Sequence, residues 1–256
     1  TDIVSRCISQ LFFVYLYDKH LYMIYKPLDK EYFDDIAQRI LYEDNHLLII
    51  NKRVGEIIQG DKTGDEPLSE TLKRFIAQRD NKPGNVFMGV PHRLDRPVSG
   101  IAIFAKTSKS LERLNESFRE GHLKKIYWAL VCDKPSSESG ELEHYMVRNE
   151  KQNKSYCYNH QKPNSKRALL KYRLIKSFDR YHLLEVELLT GRHHQIRAQL
   201  STMGCVIKGD LKYGAARSNR DGGINLHSRS ATFIHPTKKE EISVTAPVSW
   251  PPFITE

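Results

Sequence analysis

The segment His92-Arg93-Leu94-Asp95-Arg96-Pro97-Val98-Ser99-Gly100 sets one carboxylate between two guanidiniums, just ahead of a Pro/Ser/Gly turn and an apolar run. A cation beside a carboxyl group favours the ionised form, and an ionised carboxylate can act as a nucleophile or as a base. The same residue types also suit a plainer role, in which Asp95 steadies a turn by accepting hydrogen bonds from nearby backbone amides. Residue types alone leave both roles open and favour the plainer one. Four histidines, His193, His194, His227 and His235, invite a metal reading. Adjacent histidines project differently and no carboxylate follows at ligand spacing, so no metal is expected. Neither a Rossmann glycine fingerprint nor a phosphate-binding loop occurs, and no cofactor is expected. "HRLD" faintly resembles a kinase catalytic loop, but no Asn follows at the required distance and there is no glycine-rich loop or DFG.

The elements that must position these residues follow from periodicity. Apolar runs at Leu47–Ile50 and Glu56–Ile58, separated by Val54-Gly55, predict two short strands. Residues 68–80 place Leu72, Phe75, Ile76 and Arg79 at helical spacing, with Ser69 as the expected N-cap. "IAIFAKT" reads as a strand. "SKSLERLNESFREGHL" reads as an amphipathic helix with Leu111, Leu114 and Phe118 on one face and Gly121 closing it. Further strands are expected at "KKIYWALVCD", "ALLKYRLIKSF", "YHLLEVELLT", "ATFIHP" and "EISVTAPV", and a helix at "HHQIRAQLSTMG", closed by Gly204. Many strands, few helices and hairpin-like spacing predict an α+β fold around a mixed, largely antiparallel sheet.

Hydrophobic residues make up 39% of the 256 and charged residues 28%, the balance of a globular chain. The formal charge of +9 suits a polyanionic partner. The four cysteines are scattered with no CxxC pair, which points to reduced thiols in a cytoplasm rather than disulfides or a zinc ribbon. The run Leu11 to Tyr17 is too short to span a bilayer, and no membrane partner is expected. Residues 1–39 read as an appendage of uncertain structure and 40–256 as the main domain.

Five ordered segments are together specific. "HRLDRPVSG" closely resembles the HRLDxxTSG signature of the RluA-type pseudouridine synthases. "LYEDNHLLIINKRVGEIIQ" is similar to the first motif of that family, and "KKIYWALV" to its Lys-x-Tyr-x-Ala strand. "LLTGRHHQIRAQLSTMGCVIKGDLKYG" resembles its TGRxHQIR…GDxxYG segment, and "INLHSRSATFIHPTKKEEISVTAPV" its Leu-His strand and His-Pro hairpin. The resemblance runs from about Ile40 to Pro251. It implies the pseudouridine synthase fold, with a central catalytic cleft in residues 40–256, and an isomerase that needs no cofactor. It also implies a structured RNA substrate, ribosomal or transfer RNA, with a monomer as the default state.

By the same resemblance Asp95 matches the catalytic aspartate and Tyr127 the tyrosine that stacks on the target base. Arg197 matches the arginine paired with that aspartate, and Leu226 the apolar residue packed on the uracil. Position adds three substrate-binding expectations. Arg93 would fill the space vacated by the flipped base or hold a phosphate, His92 would orient the loop, and Arg96 flanks the carboxylate. Asp210 and Tyr213 would fix a nearby loop. Val98 stands where the family usually has Thr, and His193 replaces a residue that is often Thr or Ser; neither change touches Asp95, Tyr127 or Arg197. The first 39 residues are too few for an S4-type RNA-binding domain, so the catalytic domain is expected to choose its own substrate.

The chemistry asked of such a site is to break the N1–C1′ bond, turn the uracil and join C5 to C1′. That needs a carboxylate, an aromatic platform, a proton acceptor and a dry pocket. The target base must also leave its stack, at a cost of about a few kcal/mol. From Lys151 to Arg180 nine Lys/Arg residues face a single acid, Asp179, with Tyr156, Tyr158, Tyr172 and Phe178 interleaved. This pattern suits phosphate contact and base stacking on a structured RNA, against the alternative of a solvated loop followed by a strand. A non-catalytic RNA-binding or RNA-folding factor on the same fold is the other function in view, and it would be expected to lose Asp95, Tyr127 or Arg197.

Overall fold

The structure is a computed structural model and describes residues 25–61 and 63–250. The apolar run Leu11–Tyr17 lies outside the described residues. Among these residues ten strands form one sheet in the order β1-β2-β3-β9-β4-β8-β7-β5-β6, with β10 paired to β9. These are β1 (Ile40–Glu43), β2 (Leu47–Lys52), β3 (Ser99–Ala105), β4 (Leu123–Val131), β5 (Ser139–Asn149), β6 (Lys154–Tyr158), β7 (Lys166–Ser177), β8 (His182–Leu188), β9 (Leu226–Ile234) and β10 (Glu241–Thr245). Four helices accompany them among the described residues: α1 (Lys30–Arg39), α2 (Leu68–Arg79), α3 (Ser108–Arg119) and α4 (Gln195–Thr202). All pairings are antiparallel except β3 with β9. The α+β, largely antiparallel expectation is met.

Successive side chains of a strand point to opposite faces of the sheet, and β2 and β3 use both. Leu48, Ile50, Ala102 and Phe104 enter one core with α1 and α2, while Leu47, Ile49, Ile101 and Ile103 enter a second with α3 and β10. A strand pair buried on both faces reads as a continuous apolar run rather than an alternating one. In α3, Thr107 Oγ1 accepts from the Ser110 amide, Leu114 is fully buried, and Gly121 follows the helix at φ +85°.

Two local expectations fail for one shared reason. Residues 56–58 are not a strand. Their backbone caps α2 instead: Leu68 N donates to Ile57 O at 2.7 Å and Ser69 N to Ile58 O at 3.4 Å. The first amides of α2 are thus satisfied by backbone carbonyls, so Ser69 is buried inside the helix and the N-cap is Pro67. Helix α1 lies within the stretch set apart as an appendage, yet Ile36 is fully buried in the main core. At its end Arg39 forks onto Glu56 at 3.0 and 2.9 Å. The packed body therefore begins before residue 40.

The sheet edge holds a hairpin that periodicity does not reveal. β5 and β6 pair from Tyr145↔Tyr158 to Asn149↔Lys154, and their exposed positions carry charged and aromatic residues.

Candidate active site

Residue 95 sits where the chain turns into β3. Val98 N donates to Asp95 O at 3.0 Å, and Leu94 and Val98 are buried in the main core on either side. Immediately after, Gly100 has φ +109°, and a Cβ there would lie 2.3 Å from Ser228 O of β9. Only glycine allows this approach, and it brings the Asp95 turn against the start of β9. Below the turn, Lys52 is 1% exposed and donates from Nζ to three carbonyls: Val98 O at 2.6 Å, Arg53 O at 2.8 Å and Arg96 O at 3.2 Å. Burial pushes its ammonium down to about 8, while Glu56 and Asp95 act to hold the proton on.

The arginines flanking Asp95 in sequence do not pair with it. Arg96 turns away to Asp65 at 2.6 Å and Thr63 at 2.7 Å. Arg93 is exposed, with no hydrogen bond or ion pair among the described residues. The cation that does face Asp95 comes from α4, where Arg197 Nη1 stands 3.3 Å from Asp95 Oδ2. Its other edge is fixed: Nε and Nη2 bond Asp210 at 2.7 and 2.8 Å, and both side chains are buried. Burial acts to lower the Arg197 pKa, but hydrogen bonding and charge from Asp210 and Asp95 outweigh it and raise it, so the guanidinium stays charged. A fork clamped on one carboxylate presents its free edge to the other in a fixed direction.

His194 stands on the same side, with Nε2 3.4 Å from Asp95 Oδ2 and Nδ1 3.1 Å from Tyr213 Oη. Burial and then the Arg197 charge push this imidazole down to about 2, so it is neutral beside the carboxylate. Tyr213 also lies under Arg197, 5.1 Å from the guanidinium carbon to the ring centre. Asp210 and Tyr213 are thus direct neighbours of Arg197, closer than their expected loop-fixing position.

The opposite wall is apolar. Tyr127 on β4 is 5% exposed and lies across from Ser228 of β9. Burial raises its phenol to about 12, a Ser228 hydrogen bond works against this, and the Asp95 charge adds to it. Leu226 opens β9, is 4% exposed and shares the core with Tyr127, Leu94 and Val98. His92 lies at the far side of the turn, where its Nε2 accepts from Ile103 N at 2.9 Å and its ring meets Phe118 edge-on. Burial and the Lys125 charge push it down to about 3. His92 therefore anchors the loop to β3 as a neutral ring.

The structure thus brings Asp95, Arg197 and Tyr127 together with Leu226 in the adjoining core, sets His92 behind the turn against Ile103 and Phe118, and leaves Arg93 and Arg96 at the rim. Lys52 and His194 escape sequence reasoning as members of the site. The signals for Lys52 are a lysine ending an apolar strand and its place in the first of the five family-like segments. The basic stretch is partly neutralised, since Arg167 pairs with Glu143 at 2.7 Å and Arg173 with Glu185 at 2.9 Å. Lys154 and Lys162 lie over the rings of Tyr156 and Tyr158, at 5.4 and 5.9 Å. Among the described residues no group of three or more His, Cys, Asp or Glu is placed to hold a metal ion. Among them, too, no helix is long and apolar enough to cross a membrane.

A carboxylate facing a clamped guanidinium beside buried apolar side chains, on a largely antiparallel ten-stranded sheet, defines a class. The model of the RNA pseudouridylate synthase family matches residues 46–202, and the chain belongs to that family. Its enzymes are isomerases acting on RNA. Among its relatives is the ribosomal large subunit pseudouridine synthase C of Vibrio cholerae, 31% identical over 84% of this chain and 67% of that protein. The synthase C of Buchnera aphidicola subsp. Acyrthosiphon pisum is 33% identical over 84% of this chain and 68% of that protein. Among solved structures, human RNA Pseudouridylate Synthase Domain Containing 4 superposes with a TM-score of 0.72 at 22% identity, covering 88% of this chain and 93% of that one. That likeness speaks for the fold.

Proposed function

We propose that this protein isomerises specific uridines to pseudouridine in structured ribosomal or transfer RNA, with Asp95 as the catalytic carboxylate. The observation that carries the reading is the single free edge of Arg197, clamped by Asp210 and aimed at Asp95 Oδ2 at 3.3 Å. A preorganised charge of this kind needs no rearrangement when the carboxylate engages the nucleotide. Tyr127 supplies the ring on which the detached uracil rests, and burial holds its phenol in the protonated form. Leu226 and Leu94 keep water from the loose intermediate. His92 holds the loop, and Arg93 and Arg96 meet the backbone of the incoming strand.

The names of the bacterial relatives favour large-subunit ribosomal RNA over transfer RNA. A cytoplasmic monomer, whose catalytic unit includes helix α1 along with the residues that follow it, fits the same reading. Tritium release from [5-³H]uridine-labelled, unmodified large-subunit rRNA and bulk tRNA tests it. Release from the rRNA pool is expected. Binding of both pools without release from either would leave an RNA-binding factor and overturn the enzyme.

A further inference from the structure

We infer that His193 is a positioning residue that locks the tip of the β5–β6 hairpin to the Asp95 centre, so that RNA seated on the hairpin sets the geometry of the carboxylate. This deepens, and rests on, the proposed function. Neighbouring side chains normally diverge, but His194 has φ +53°, a left-handed conformation rare outside glycine. The rings of His193 and His194 consequently stack, with centres 3.8 Å apart and planes inclined by 21°. His194 in turn stands against Asp95, 3.4 Å away.

The outer ring is tied to the hairpin through both nitrogens. Nε2 lies 3.1 Å from Asn153 Oδ1, which can only accept, so Nε2 carries the proton. Nδ1 then accepts from the Ser155 hydroxyl at 2.9 Å. The hairpin tip is held by a second route as well. Ser155 N donates to Tyr213 Oη at 2.9 Å, and the same oxygen lies 3.1 Å from His194 Nδ1. Lys212 Nζ steadies the turn by donating to Asn153 O at 3.0 Å. Both routes from Ser155 converge on His194, and through it on Asp95. The tip also carries exposed Lys151 and Tyr156 and half-buried Lys154, whose Nζ lies over the rings of Tyr156 and Tyr213 at 5.4 and 5.1 Å; all three belong to the basic and aromatic stretch that suits RNA. A surface histidine with no such task would not need two specific partners and a strained neighbour to stack on.

The test is single-turnover tritium release from [5-³H]uridine-labelled, unmodified large-subunit rRNA over a range of enzyme concentrations. His193→Ala should slow the saturated rate about tenfold, the effect of losing one or two net hydrogen bonds. The half-saturating concentration should stay within about twofold. Ser155→Ala combined with His193→Ala should be no slower than His193→Ala alone, because the two act as one unit. His193→Gln, which offers both a donor and an acceptor, should recover part of the rate. A loss confined to half-saturation, or additive losses, would overturn the inference and make His193 a simple RNA-binding side chain. Failure of wild type to release tritium from this RNA would instead count against the proposed function. The coupling is then read from imidazole ¹⁵N spectra of the free protein. His194 resonances shifted by Ser155→Ala uphold it, and unshifted ones overturn it.

Discussion

Asp210→Asn is the substitution whose effect follows most directly from the geometry. Asp210 accepts two charge-assisted bonds from Arg197, at 2.7 and 2.8 Å, and their side chains are 1% and 6% exposed. Removing one partner of a buried ion pair costs about 3–5 kcal/mol, because the other charge is left without its counter-ion. Asparagine keeps one acceptor and Asp95 still faces Nη1, so the low end applies, about 3 kcal/mol. For a domain of this size that corresponds to a melting temperature lower by roughly 6–12 °C. Activity should fall further than stability explains. With Asp210 neutral, Arg197 is free to turn its fork onto Asp95 and occupy the carboxylate that must meet the nucleotide. We expect at least a tenfold loss of tritium release at a temperature where the variant is folded.

The control is Arg197→Met with Asp210→Leu. Replacing a whole buried pair by apolar residues is often neutral for stability, so this variant should melt near wild type and still be inactive. An Asp210→Asn protein melting within about 2 °C of wild type, or an active double variant, would refute the clamp.

Three further outcomes are expected. His194 and His227 are buried and His92 is half-buried, all as neutral rings pushed down to about 2, 4 and 3 in that order, chiefly by loss of water around them. The unfolded chain binds their protons first, so stability should be complete above about pH 6.5 and drain away as pH falls towards 4. His227→Gln should flatten that slope in urea titrations across the range. Gly100→Ala sets a methyl 2.3 Å from Ser228 O at a backbone angle that alanine resists, and should yield little soluble protein. Charge reversal of Lys151, Lys154 and Lys166 should weaken RNA binding, measured by filter binding. The steepness of its salt dependence should drop by about one unit for each phosphate no longer neutralised.

Residues that must be close in space but carry recognisable neighbours in sequence were legible beforehand. Asp95, Tyr127, Arg197 and Leu226 lie up to 131 residues apart in a sequence that nonetheless marks each by its motif, and the structure gathers all four. The helix α3 was equally plain from its amphipathic period, and the strands β2 and β3 from continuous apolar runs that fill a core on each face. What escaped depends on partners that no local pattern names. Arg96 flanks Asp95 in the chain but answers to Asp65, and the cation that faces Asp95 arrives from α4. Ser69 has the residue type of a cap, yet carbonyls from an irregular segment take its place. α1 hides its one fully buried residue, Ile36, among charged neighbours. The hairpin of β5 and β6 sits at a sheet edge, where only alternate positions touch the core.

The central claim is that Asp95 carries the reaction, and Asp95→Asn tests it most directly. The side chain is one-third exposed, so the substitution should leave melting almost unchanged while keeping the shape of the site. Tritium release from labelled, unmodified large-subunit rRNA is predicted for wild type and absent for the variant at equal RNA occupancy. Release by the variant at the wild-type rate would contradict the account.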